Sequence, residues 1–199
     1  MDFEEFINTT YNHDTFEIIH TNNNGTCCYD SILKLLKLHK KITPNINTRI
    51  IQAQAVNWII KNKDLYLIHF NLTMEDFVLY THNIDTFEEY IENYKIYSGH
   101  DNINTTSNRW GGTPELIALS YIYNINVNVY TGKSFDKNRN KIIKGTIIYN
   151  KPRRDFRYKL LLNTNNDTNI DKTFNILYTC YKNNTSHFEA LIKKNEDYS

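Results

Sequence analysis

Two adjacent cysteines, Cys27 and Cys28, follow Gly25 in the stretch NNNGTCCYDSIL, residues 22–33, and an amphipathic run begins at once. A thiol at a helix start lies near unpaired backbone N–H groups and the positive end of the helix dipole, and both favour thiolate over thiol. Gly25 lets the preceding loop turn sharply and leaves N–H groups free to face a reacting oxygen. Such a nucleophile needs a base, and the chain has 7 histidines. His187, in SHFEALI, is the best placed. It opens a predicted strand, where residues i and i+2 share a face about 7 Å apart. Glu189 therefore sits beside it, while Phe188, Ala190 and Ile192 face the other way. An acid beside a histidine fixes its tautomer and stabilises the imidazolium. His20, at the end of the strand before the loop, is a rival base with no acid two residues on. Taken alone, these residues also allow a blander reading: Cys27 as a small buried hydrophobe and His187 as an ordinary strand residue.

The elements that must position these groups are readable from periodicity. TFEIIH, residues 15–20, reads as a short strand entering the Asn-Asn-Asn-Gly loop. From Cys27, residues Ile32, Leu35, Leu36 and His39 recur at helical spacing. RIIQAQAVNWIIKN, residues 49–62, places Ile51, Ala55, Trp58 and Ile59 on one face of a second helix. Thr73 can cap a third over TMEDFVLY. DTFEEYIENYKIY, from Asp85, sets Phe87, Tyr90, Ile91 and Tyr94 in register, with Glu88, Glu89 and Glu92 outward. Thr113-Pro114-Glu115 opens a fifth helix with a capping hydroxyl, Pro at its first position and an acid in the first turn. INVNVY alternates strictly, which predicts a strand with one buried face carrying Ile125, Val127 and Val129. KGTIIYN, FRYKLLL, FNILYT and HFEALI read as further strands. The expected fold is therefore α+β, with a small central antiparallel or mixed β-sheet flanked by helices. The expected organisation is one domain over residues 1–199.

Composition excludes several classes. The chain has 199 residues and a formal net charge of +1, so no strong field recruits nucleic acid or membrane. Lys151-Pro152-Arg153-Arg154 reads as a solvated hairpin end. Three cysteines give no disulfide framework, and no CxxC or HxxxH spacing indicates a metal. MDFEEFINTTYN lacks an apolar h-region, so no signal peptide is expected, and no run of 18 apolar residues marks a membrane span. A reducing, cytoplasmic setting and a monomer are the expectations.

These residues together carry a resemblance. NGTCCYDSI resembles the Asp-Gly-x-Cys signature of the OTU (ovarian tumour domain) cysteine proteases. RWGGTPELIALSYIYNINVNVY is similar to the family's Trp-Gly-Gly helix and the strand after it. SHFEALI is similar to its closing histidine strand. The match spans roughly residues 15–192, with the motifs in order. It implies a papain-like fold and hydrolysis of the isopeptide bond at the C-terminal glycine of ubiquitin or a relative, with no cofactor and no metal. It also implies Cys27 as nucleophile, His187 as base, and an oxyanion loop of Asn24, Gly25 and Thr26. Cys28 takes the place of a buried apolar residue. Trp110, Gly111 and Gly112 would shape the cleft, the glycines allowing approach of the Gly-Gly tail.

Two positions depart from the family pattern. Asn24 stands where Asp is common, and Glu189 stands where Asp or Asn is usual. Asn24 keeps the size and a hydrogen-bonding amide but loses the charge. Glu189 must absorb one methylene in a different rotamer. The partners expected are ubiquitin or a ubiquitin-like modifier and ubiquitinated proteins, in a host cytoplasm if the chain resembles viral or pathogen members. The alternatives are a weakened site that binds and sequesters ubiquitin, and a papain-like enzyme without a ubiquitin role.

Overall fold

Local chemistry starts and stops the helices much as the sequence reads. The computed structural model describes residues 10–12, 16–21, 25–68, 70–98, 111–135, 142–144, 157–163, 172–180 and 186–194. Helix α1 (Cys27–Leu38) buries Ile32, Leu35 and Leu36. His39 ends it, its N–H donating to the Leu35 carbonyl at 2.9 Å. Helix α2 (Thr48–Lys61) is capped by Asn47, whose side chain accepts from the Ile50 N–H. It buries Ile51, Ala55, Val56 and Ile59, and Trp58 flanks that face, stacked on exposed Tyr121. The hairpin β3 (Tyr66–Leu67) and β4 (Leu72–Thr73) leads into α3 (Met74–His82). Thr73 caps α3, accepting from the Asp76 N–H at 3.1 Å. Asn83 stops it in the left-handed region at φ 52°, a conformation Asn adopts at low cost. Helix α4 (Phe87–Ser98) buries Phe87 and Tyr90 and exposes Glu88, Glu89 and Glu92.

Helix α5 (Thr113–Tyr123) begins one residue earlier than its Thr-Pro-Glu start predicts. Gly112 is the capping residue, and Thr113 is the first helical position. The missing side-chain cap is replaced from inside the helix: Glu115 Oε2 accepts from the Gly112 N–H at 2.7 Å. This is the return half of a capping box.

The described strands form a sheet in the order β1 (Thr10–Asn12), β7 (Arg157–Asn163), β5 (Ile125–Phe135), β8 (Lys172–Cys180), β9 (Ser186–Lys193), β2 (Phe16–Ile19), with β6 (Ile142–Lys144) also on β5. The sheet is mixed, because β5 and β8 pair in parallel while the other neighbours are antiparallel. The KGTIIYN strand is seen only at Lys144, and its other residues, like the Lys151–Arg154 run, lie outside the described residues.

The expectation that β5 buries one face is corrected. Ile125, Val127 and Val129 face the main core under the helices, but Tyr130 on the other side is 4% exposed. There it packs with Phe16, Leu177 and Leu191 in a second small core, its ring 5.3 Å from that of Phe16. A central strand has both faces to cover, and a tyrosine can supply apolar area to the lesser one. Helix α1 packs across β9 and β8, which sets the start of the helix against the start of the last strand.

Candidate functional site

Cys27 begins α1 and is buried. Gly25, two residues before it, sits at φ 81°, a conformation that favours glycine and turns the chain into the helix. Cys27 Sγ accepts a hydrogen bond from the Phe188 N–H at 3.4 Å. The residue before that donor is His187, 1% exposed. The thiol and the strand carrying the imidazole therefore touch, across 161 residues of sequence. Cys28, 1% exposed, is buried in the core, with its Cβ 3.1 Å from where a Cβ on Gly111 would lie.

The pairing of β2 with β9 brings in two further side chains. It sets Phe16 opposite Lys193 and Ile19 opposite Ala190. Continued past the end of β2, this register puts His20 opposite Glu189 and Thr21 opposite Phe188. Residues directly opposite interact, and both pairs do. Glu189 Oε1 accepts from His20 Nδ1 at 2.7 Å and lies 3.9 Å from His187 Nε2. The acid predicted to serve His187 is thus closer to the exposed rival, His20. Thr21 Oγ1 donates to the Phe188 carbonyl and lies 3.3 Å from His187 Nε2. Nothing in the sequence marks Thr21; only the register of two strands far apart in the chain places it here. Lys34 on α1 closes the arrangement. It donates to the His20 carbonyl and pairs with the buried Asp30 at 3.5 Å.

Burial sets the charge states. It pushes the Cys27 thiol above its ordinary range. The N–H groups of Phe188, Cys28 and Cys27 itself pull it back, and the Asp30 carboxylate pushes it further up. Burial likewise lowers His187, against the pull of Glu189, while His20 lowers it and Asp30 raises it. The helix start therefore does not by itself outweigh desolvation, and the two directions favour the neutral thiol and the neutral imidazole. Burial also drives the Cys28 thiol well up, with Glu115 and Cys27 adding to the effect.

Behind α1 lies a buried polar hub that the sequence reads only as a helix start. Glu115, 1% exposed, accepts from the Tyr90 hydroxyl at 2.8 Å and pairs with His82 Nε2 at 2.9 Å, besides its bond from the Gly112 N–H. One carboxylate thus ties α3, α4, α5 and the 111–112 segment together. Burial would raise Glu115, but His82, the Gly112 N–H and the Tyr90 hydroxyl hold it below its usual value. Burial would lower His82, but Glu115 holds it above its usual value.

Gly111 owes its identity to the protein itself. A Cβ there would lie 2.7 Å from Tyr29 Cζ and 3.1 Å from Cys28 Cβ. The direction a Cβ on Gly111 would take is filled by Tyr29 of α1. A Cβ at Gly112 would meet nothing closer than 3.7 Å. Asn24 and Trp110 lie outside the described residues. Among the described residues no group of three His, Cys, Asp or Glu side chains could hold a metal ion, and no helix is long and apolar enough to cross a membrane.

A mixed sheet with a buried thiol at the start of the helix crossing it, and a histidine on the adjoining strand, has the architecture of papain-like cysteine proteases. The model of the OTU-like cysteine proteases matches residues 22–188. The chain belongs to that family. Among solved structures it is similar to the OTU protease of Qalyub virus, at 16% identity and TM-score 0.53, covering 92% of this chain and 89% of that one. It is also similar to an OTU deubiquitinase from Wolbachia pipientis wMel bound to ubiquitin, at 15% identity and TM-score 0.51, covering 92% and 99%. The OTU protease of Farallon virus matches at 16% identity and TM-score 0.51, covering 94% and 90%. No curated protein sequence matches the chain.

Proposed function

We propose that the chain is a thiol-dependent deubiquitinase that hydrolyses the isopeptide bond at the C-terminal glycine of ubiquitin or a ubiquitin-like protein. The observation that carries this reading is the contact of Cys27 Sγ with the N–H next to His187, in a chain of the OTU-like family. His187 removes the thiol proton as Cys27 attacks the glycine carbonyl, because burial keeps the resting pair neutral. The backbone N–H of Cys27 and the Asn24–Thr26 loop stabilise the tetrahedral oxyanion. His187 then protonates the departing lysine amine, and the C–N bond breaks to leave a thioester. Water attacks the thioester with His187 as base, releasing the ubiquitin carboxylate and restoring the thiol. The site acts on ubiquitinated proteins of a host cytoplasm under this proposal, which here rests on the sequence and on family likeness.

A ubiquitin probe with a C-terminal electrophile tests the reading. The expected result is one adduct at Cys27, lost in Cys27→Ala and kept in Cys28→Ala. An adduct on Cys28 would overturn the assignment. Ubiquitin binding without any adduct would select sequestration instead.

A further inference from the structure

We propose that Thr21 is a positioning residue for His187, holding it as the Nε2–H tautomer. This deepens the proposed hydrolytic role of His187 and rests on that reading. The argument is one of proton counting. A threonine hydroxyl has one hydrogen to give and two lone pairs to offer. That hydrogen goes to the Phe188 carbonyl. Toward His187 Nε2, 3.3 Å away, Thr21 Oγ1 can therefore only accept. The neutral ring must then carry its hydrogen on Nε2, and its lone pair must sit on Nδ1. Nδ1 is buried and has no hydrogen-bond partner among the described residues, so its lone pair is not spent elsewhere.

The acid two residues on is committed differently. Glu189 Oε1 is 2.7 Å from His20 Nδ1 but 3.9 Å from His187 Nε2, beyond hydrogen-bond range. Glu189 acts on His187 through its field, while the directional bond comes from Thr21. The same hydroxyl fixes the strand as well as the ring. Phe188 presents its N–H to Cys27 Sγ and its carbonyl to Thr21, both at the edge that β2 no longer covers. One side chain thus aligns the imidazole with the strand that contacts the thiol.

The test uses the full chain labelled with nitrogen-15 at histidine. Long-range proton–nitrogen spectra above the His187 titration report its tautomer. The wild type should show Nε2–H, and Thr21→Ser should keep it. Thr21→Val should populate Nδ1–H and slow iodoacetamide alkylation of Cys27 about tenfold, the scale of one lost hydrogen bond. An Nδ1–H tautomer in the wild type overturns the proposal by itself, whether or not Thr21→Val folds. So does a Thr21→Val protein with unchanged tautomer and alkylation, or a Thr21→Ser protein that loses both. Neither readout involves ubiquitin, so a failure of the deubiquitinase reading is seen separately, in the probe experiment.

Discussion

Replacing Glu115 with glutamine removes one charge from the hub behind α1 and nearly none of its volume. The carboxylate accepts from Tyr90, from the Gly112 N–H and from His82. An amide offers one accepting oxygen and one donating nitrogen. With its oxygen toward Tyr90 and His82, its nitrogen confronts the Gly112 N–H; turned over, it confronts the other two. At least one charge-assisted bond is lost and one buried donor is left unpaired, which costs about 2–4 kcal/mol. With urea m-values of about 1–3 kcal/mol/M, the midpoint of unfolding by circular dichroism should fall by about 1–2 M. The pH dependence supplies a second arm. Glu115 is held low when folded, so its contribution is present above its unfolded value of about 4.3 and is lost as pH falls through the folded one. His82 is held high when folded, so its contribution is present below about 6.5 and is lost as pH rises through its folded value. Both shifts describe one ion pair, counted once, whose full contribution lies between about pH 4.5 and 6.5. Glu115→Gln should flatten both flanks of that window. A midpoint shift under about 0.3 M, or a pH profile parallel to the wild type, would refute the hub.

Three further outcomes are expected. Gly111→Ala drives a methyl into Tyr29 and should cost about 1–3 kcal/mol, whereas Gly112→Ala, which meets only ordinary van der Waals contacts, should cost less than about 1; equal melting temperatures for the two variants would contradict the packing. Asp30→Asn removes a charge that pushes Cys27 up, so the pH midpoint of Cys27 alkylation should move down; an unchanged or higher midpoint counts against Asp30 acting on the thiol. Thr73→Ala deletes the cap of α3 and should cost about 1 kcal/mol in urea titration, with no change in Cys27 alkylation.

The helices were legible because their information is local. Ile32, Leu35 and Leu36 repeat at helical spacing, and Thr73 stands where a cap must stand. The start of α5 lies one residue before the place its sequence indicates, because a Thr-Pro-Glu opening gives no sign that Glu115 reaches back to Gly112. Tyr130 falls on the face opposite Val127 and Val129, and alternation reveals two faces but not what covers the second. The parallel pairing of β5 with β8 has no local signature at all. Within the site, the motifs around Cys27 and His187 led to both residues. Thr21 and the bond from His20 to Glu189 stayed invisible, since they depend on which residue of β2 faces which residue of β9. A glutamate two residues from a histidine reads as its partner, and a cross-strand neighbour closer in space cannot be seen from spacing.

The separation of 161 positions between Cys27 and Phe188 also bears on synthesis. Chains emerge N-terminus first and long-range strand pairs close late. The thiol is made early, while β9, which brings its hydrogen-bond donor and its proposed base, comes last of the described strands and must slot between β8 and β2. A nascent or C-terminally truncated chain therefore carries the cysteine without the machinery to use it. Docking of the final strand turns an exposed thiol into a buried one held above its ordinary range, so a change in the rate of Cys27 alkylation reports completed folding.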